Sequence, residues 1–166
     1  KMGLGTKQVE ILVGRQGLIE LSKKKDVDVM LNGLVGAAGM EPTLYALEAG
    51  VNVALANKES LVMAGDIINK AMKLSGAKIF PVDSEHSAIW QCLVGEDIKD
   101  VRRIILTGSG GPFRNRDLKT FDEISVEEAL KHPNWDMGRK ISIDSATMMN
   151  KCLEVIEAYW LFNLDY

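Results

Sequence analysis

A chain of 166 residues, 46% apolar and 26% charged, has room for one domain or parts of two. Its formal charge of −3 gives no basic footprint for nucleic acid. No apolar run is long enough to span a bilayer as a helix.

The predicted elements alternate through the first half. Residues 9–13 form a short apolar run, and residues 17–24 have helical spacing that ends in the solvated run Lys23-Lys24-Lys25. Residues 27–31 read as a strand, and residues 42–49 as a helix stopped by Gly50. A second strand covers residues 51–56, a helix residues 60–74 with Gly76 as its stop, and a third strand residues 77–82. Short strands alternating with helices predict an α/β fold with a doubly wound parallel sheet. After residue 85 the rhythm changes. A short helix at 86–93 precedes a strong strand at 101–106 and a Gly-rich turn at 108–111. Ser125-Val126-Glu127-Glu128 is a capping box opening a short helix. A brief strand at 140–143 is followed by a long helix to Phe162, capped by Asp144 or Ser145. Cys92 and Cys152 sit in apolar helical surroundings and read as buried free thiols, which fits a reducing compartment. The boundary between two units falls near residues 76–83. Both ends of the chain look cut from something longer.

Four places carry polar groups where open α/β sheets bind ligands, at the carboxyl ends of strands. Gly33-Leu34-Val35-Gly36-Ala37-Ala38-Gly39 follows a strand, and serves either as a tight turn or as a backbone approach to a cofactor. Asn57-Lys58-Glu59-Ser60 opens a helix; it is a capped start with an acid on the dipole, or a ligand contact through Lys58. Asp83-Ser84-Glu85-His86 places two carboxylates at a strand end. They are dipole acids, or ligands of a divalent cation that relieves their repulsion. The 108–111 turn, with Ser109 inside it, is a bland turn or an anion nest.

Two later segments add to these. His132-Pro133-Asn134-Trp135-Asp136-Met137-Gly138 has no periodicity and suits a loop closing over a ligand, or a Trp packed on the core. On the last helix Asn150, Glu154 and Glu157 recur at i, i+4 and i+7 amid Met148, Met149, Leu153, Ile156, Trp160 and Leu161. A polar stripe on an apolar helix needs partners. An internal Lys151–Glu154 pair, or a cation with an anionic substrate, would supply them.

Taken in order, Ala56-Asn57-Lys58-Glu59-Ser60, Pro81-Val82-Asp83-Ser84-Glu85-His86, the stretch 106–113, the stretch 132–138 and the stretch 142–154 resemble the 1-deoxy-D-xylulose 5-phosphate reductoisomerases. The resemblance covers essentially the whole chain. It implies an NADP-dependent oxidoreductase that rearranges and reduces 1-deoxy-D-xylulose 5-phosphate to 2-C-methyl-D-erythritol 4-phosphate in non-mevalonate isoprenoid synthesis. Asp83, Glu85 and Glu154 match the family's ligands for Mg²⁺, Mn²⁺ or Co²⁺. Lys58, Ser84, Ser109, His132, Ser145, Asn150 and Lys151 match its substrate contacts, together with Glu85 and Glu154 through the metal, and Lys151 is placed to steady developing negative charge. Asn57, Glu59 and Gly138 match contacts to NADPH, and Trp135 matches the flap residue over the substrate.

The same resemblance divides the chain into residues 1–78, the end of a Rossmann-like dinucleotide-binding domain, and residues 79–166, the start of an α+β catalytic domain, both incomplete. The family's Gly-rich strand-turn-helix for the NADPH pyrophosphate is not in this sequence. The partners implied are a sugar phosphate and a second copy of the chain, with neither nucleic acid nor membrane. The compartment implied is the cytoplasm in a bacterium and a plastid-type organelle in a eukaryote. Two other readings stay open: a different NAD(P)-dependent oxidoreductase of semialdehyde or hydroxy-acid type, and a non-catalytic sugar-phosphate-binding module.

Overall fold

The computed structural model describes residues 10–164. Helix α1 (Gly14–Ser22) leads into strand β1 (Val29–Asn32), a 3₁₀ turn (Gly36–Gly39) and helix α2 (Met40–Glu48). Strand β2 (Asn52–Leu55), helix α3 (Lys58–Ser75) and strand β3 (Ile79–Pro81) complete a three-stranded sheet in the order β1-β2-β3. Both pairings are parallel, with Met30 opposite Val53 and Ala54 opposite Phe80. The α/β alternation predicted up to residue 82 is therefore present, each element within a few residues of its expected bounds. Of the predicted run at 9–13, Val9 lies outside the described residues, and residues 10–13 form no strand.

The core sits between the sheet and helices α2 and α3. Leu47, Val53, Leu55, Leu61 and Ile68 are fully buried there. Burying each such side chain is worth about 1.5–3 kcal/mol. Helix α3 starts at its cap Asn57, whose side chain accepts from the Ser60 amide, and stops at Gly76 in the left-handed region (φ 78°). Midway it kinks at Ala64 (φ −141°), beside Gly65. The Trp160 ring occupies the space a Gly65 side chain would fill, with ring carbons well inside contact distance of an ideal Cβ. Asn69 Nδ2 donates to the Trp160 carbonyl at 3.2 Å from the same helix face.

Beyond β3 the chain forms α4 (Ser84–Cys92), α5 (Val126–Ala129), α6 (Arg139–Ala146) and α7 (Met149–Phe162). The capping box at Ser125 forms as predicted, with both reciprocal bonds. Four expectations are corrected. Residues 101–106 form no strand: no other described segment pairs with them, and an apolar run without a ladder partner stays irregular. Its side chains instead line grooves against Ile89 and Leu93 on one side and Val155 and Tyr159 on the other. Residues 140–143 are helical, inside α6; a four-residue apolar alternation does not separate strand from helix. The long final helix is two helices, broken where Met148 adopts a left-handed conformation (φ 62°). Cys92 and Cys152 are exposed. Cys152 shares the outward face of α7 with Val155, while Glu154, Glu157 and Ala158 face inward. The polar stripe is thus the buried one, and the sequence expectation for the cysteine inverts with it.

None of the helices among the described residues is long and apolar enough to cross a membrane.

Candidate active site

Three elements converge on one cavity of about 630 Å³. The end of β3 and the first turn of α4 bring Asp83, Ser84 and Glu85. The turn after residue 106 brings Ser109, and helix α7 brings Asn150, Lys151 and Glu154. Carboxylate oxygens of Asp83, Glu85 and Glu154 lie within 4.8 Å of one another. Opposed ligands of a six-coordinate Mg²⁺ stand roughly 4.2 Å apart, so small side-chain shifts would let one ion take all three. The donor set is hard oxygen throughout, which suits Mg²⁺ or Mn²⁺.

Two ammonium groups interleave with these acids. Lys58 is buried at the start of α3. Its Nζ pairs with Asp83, lies 3.4 Å from Glu154 Oε1 and donates to Asn150 Oδ1 at 2.8 Å. Burial alone would lower its pKa, but the charge of Asp83 and the hydrogen bond to it, with Glu154 behind, raise it above the usual lysine range. Lys151 Nζ pairs with Glu154 and the Thr107 carbonyl and reaches Glu85 Oε1 at 3.2 Å. Burial pushes the Glu85 carboxyl up; bonds from Ser84 (2.7 Å), its own backbone amide and Lys151 outweigh it, and the pKa is lowered. The internal Lys151–Glu154 pair weighed from sequence therefore exists, embedded in a larger network.

The Gly-rich turn packs tightly on this network. A side chain on Gly108 would meet Lys151 Cε at 2.8 Å, and one on Gly111 would meet the Ser145 carbonyl at 2.5 Å. Gly110 and Gly111 both have positive φ (78° and 70°), which only glycine adopts freely. Ser109 Oγ accepts from the Gly111 amide at 3.1 Å and lies 2.9 Å from His132 Nε2. His132 Nδ1 accepts from the backbone amides of Asn134 (3.3 Å) and Trp135 (3.1 Å). The imidazole proton therefore sits on Nε2 and is donated to Ser109, which leaves the Ser109 hydroxyl hydrogen free to donate into the cavity. Trp135, 68% exposed, and Ser145 line the same cavity.

The residues matched to NADPH lie apart from the acids. The Asn57 amide donates to the carbonyls of Leu34 (2.8 Å) and Gly36 (2.9 Å), and its Oδ1 accepts from Ser60. Gly39 leaves room for that side chain, since a Cβ there would stand 2.5 Å from Asn57 Oδ1. The glycine segment 33–39 is thus a tight turn clamped by Asn57. Glu59 is tied to the segment after Gly138 by Lys140, whose Nζ lies 2.7 Å from Glu59 and 2.6 Å from Asp144. Asn57 and Glu59 therefore stand together at the start of α3, linked to the first turn of α6 after Gly138 by the Lys140 ion pair.

Behind the acids lies a buried pair: Glu157, from the polar stripe of the last helix, and His86, which the sequence left as a helix-start residue or a ligand. His86 and Glu157 are both fully buried. His86 Nδ1 lies 3.3 Å from Glu157 Oε2 and 3.9 Å from Asp83 Oδ2, and its Nε2 lies 2.8 Å from the Glu154 carbonyl. Burial and the nearby charge of Asp83 push the Glu157 carboxyl up to about 8, and burial pushes the His86 imidazole down. The i+3 spacing of Glu157 from Glu154 was the available signal; its burial was not.

Residues 2–65 match the family model for 1-deoxy-D-xylulose 5-phosphate reductoisomerase, and residues 79–162 match that for the C-terminal domain of the same enzyme. The chain belongs to the 1-deoxy-D-xylulose 5-phosphate reductoisomerase family. It is 59% identical over 160 residues to the reductoisomerase of Clostridium beijerinckii, covering 96% of this chain and 41% of that protein. It is 58% identical over 163 residues to that of Chloroherpeton thalassium, covering 98% of this chain and 42% of that protein. Among solved structures, a DOX-P reductoisomerase in complex with NADPH, fosmidomycin and magnesium matches with a TM-score of 0.86 at 50% identity, over 92% of this chain and 40% of that one. The chain thus spans about two-fifths of the length of these reductoisomerases.

Proposed function

We propose that the protein carrying this chain converts 1-deoxy-D-xylulose 5-phosphate to 2-C-methyl-D-erythritol 4-phosphate with NADPH and a divalent cation. The observation that carries this reading is the meeting of Asp83, Glu85 and Glu154 with Lys58 and Lys151 in one cavity, in a chain of this family. A cation held by the three carboxylates supplies Lewis acidity toward the substrate's carbonyl and hydroxyl oxygens. NADPH supplies the hydride, with Asn57, Glu59 and Gly138 placed to contact it.

The protein's own residues do the rest. Three carboxylates against two ammoniums leave one negative charge, so a dication turns the site positive and favours a phosphorylated substrate. Ser109, Ser145, Asn150 and Lys151 hold the phosphate, and Ser84 and His132 line the same cavity as further contacts. Lys151 steadies negative charge developing beside Glu85. Trp135 covers the substrate and excludes water. In the same reading residues 1–78 belong to the dinucleotide-binding domain and residues 79–166 to the catalytic domain, a division supported by the gap between the two family matches. The whole protein is read as a homodimer, cytoplasmic in a bacterium and within a plastid-type organelle in a eukaryote.

The test is an assay of the full-length protein. NADPH oxidation should require 1-deoxy-D-xylulose 5-phosphate, stop on chelation with EDTA and return with Mg²⁺. Oxidation that continues in EDTA would replace this reading with that of a metal-independent NAD(P) oxidoreductase. In the same assay Ser109→Ala should raise KM roughly 10- to 100-fold with kcat little changed, because one hydrogen bond to a charged group is worth roughly 1.5–3 kcal/mol. An unchanged KM would remove Ser109 from the phosphate site.

A further inference from the structure

We infer that Glu157 is a positioning residue for the metal-binding carboxylates, acting through the His86 imidazole. The inference rests on the metal reading above and extends it to two residues outside the cavity. The lining of the cavity includes neither His86 nor Glu157, so neither is placed to touch substrate.

The geometry forms a chain. The Glu154 carbonyl can only accept, so His86 Nε2, 2.8 Å away, carries the ring proton. In a neutral ring Nδ1 is then an acceptor, and Glu157 Oε2 stands 3.3 Å from it. His86 Nδ1 and both Glu157 oxygens have no hydrogen-bond partner among the described residues, and at 3.3 Å a small rotation of the Glu157 carboxyl would make each the other's partner. The His86 ring lies near-parallel to the Phe162 ring, with planes 6° apart and centroids 6.5 Å apart. His86 follows Glu85 on α4, and Glu157 lies one turn from Glu154 on α7. The pair therefore joins the two helices whose relative position sets the distances among Asp83, Glu85 and Glu154. A carboxyl buried at 0% exposure beside a buried imidazole is costly unless they pair.

Mn²⁺ alone, titrated into the full-length protein and followed by loss of the free-ion EPR signal, tests the inference. Glu157→Leu should weaken Mn²⁺ binding by roughly 10-fold or more, the range for losing a group that orients a metal ligand. Glu157→Gln should restore most of the affinity, because its amide NH₂ can still donate to Nδ1. In turnover, Glu157→Leu should lower kcat and leave the KM for the sugar phosphate within about twofold, since a group that orients metal ligands acts on those ligands and not on the phosphate contacts. Wild-type protein that fails to bind Mn²⁺ overturns the metal reading and this inference together. Wild-type binding matched by Glu157→Leu overturns the inference alone, as does a second Mn²⁺ per chain that Glu157→Leu abolishes. If Glu157→Leu does not fold, Glu157→Met, which keeps the side-chain length without a donor, takes its place: Mn²⁺ binding weakened by roughly 10-fold supports the inference, and wild-type binding overturns it.

Discussion

Glu154→Gln in the full-length protein should abolish metal-dependent turnover, lowering kcat/KM by roughly 1,000-fold or more. Glu154 is the only one of the three candidate ligands on α7, and its side chain is 1% exposed. A Lewis-acid cation contributes several kcal/mol of charge stabilisation, and about 1.4 kcal/mol corresponds to a factor of ten. The substitution keeps the volume of the side chain and its hydrogen bond from Asn150, so the fold should survive. It removes one charge facing Lys58 and Lys151, which then repel a cation that only Asp83 and Glu85 still hold. Steady-state NADPH oxidation and Mn²⁺ titration read the two effects separately. Undiminished turnover together with undiminished metal binding would end the assignment of the three acids to one ion.

Gly65→Ala should cost about 1–3 kcal/mol of stability, the range for overpacking a tight contact, and lower Tm by roughly 5 °C. The added methyl would overlap the Trp160 ring. Trp160 has little room to retreat. Its ring packs edge-on against Tyr159 with centroids 4.8 Å apart, and its carbonyl accepts from Asn69. The strain falls on the contact between α3 and α7, the helices that carry Lys58 and Glu154. Activity should therefore drop more than the loss of folded protein explains. Trp160→Leu in the same protein should recover part of the lost Tm, since the two side chains compete for one space. A Gly65→Ala protein with wild-type Tm would mean that α3 and α7 separate easily.

Much of this arrangement was legible before any coordinates. Asn57, Lys58, Asp83 and Glu85 each follow an apolar run at a strand end, and β2 and β3 do end there. The acid–Asn–Lys spacing on α7 placed Asn150, Lys151 and Glu154 near one another, and their side chains do touch. What misled was the segment 101–106. Its half-buried Ile104 and Leu106 and exposed Ile105 keep the strand's alternation, but a strand is a property of two segments, and no second one stands beside it among the described residues. Residues 140–143 misled for the opposite reason: too few residues to reveal a period, in a place where α5 and α7 pack a helix.

The chain's own pattern of apolar and polar residues determined the β/α alternation, the helix stops at Gly50 and Gly76, and the acids at the mouth of the sheet. These follow from local periodicity and backbone preference, which neighbours in sequence largely dictate. Only the tertiary structure decided that α7 turns its acidic stripe inward and its Cys152 and Val155 outward. A helix cannot choose its buried face alone when that face is charged. Lys151, within the helix, supplies one cation, but Lys58, 96 residues away from Glu154, supplies the other that makes burying the carboxylate tolerable, and no spacing within the helix encodes where that second partner will stand.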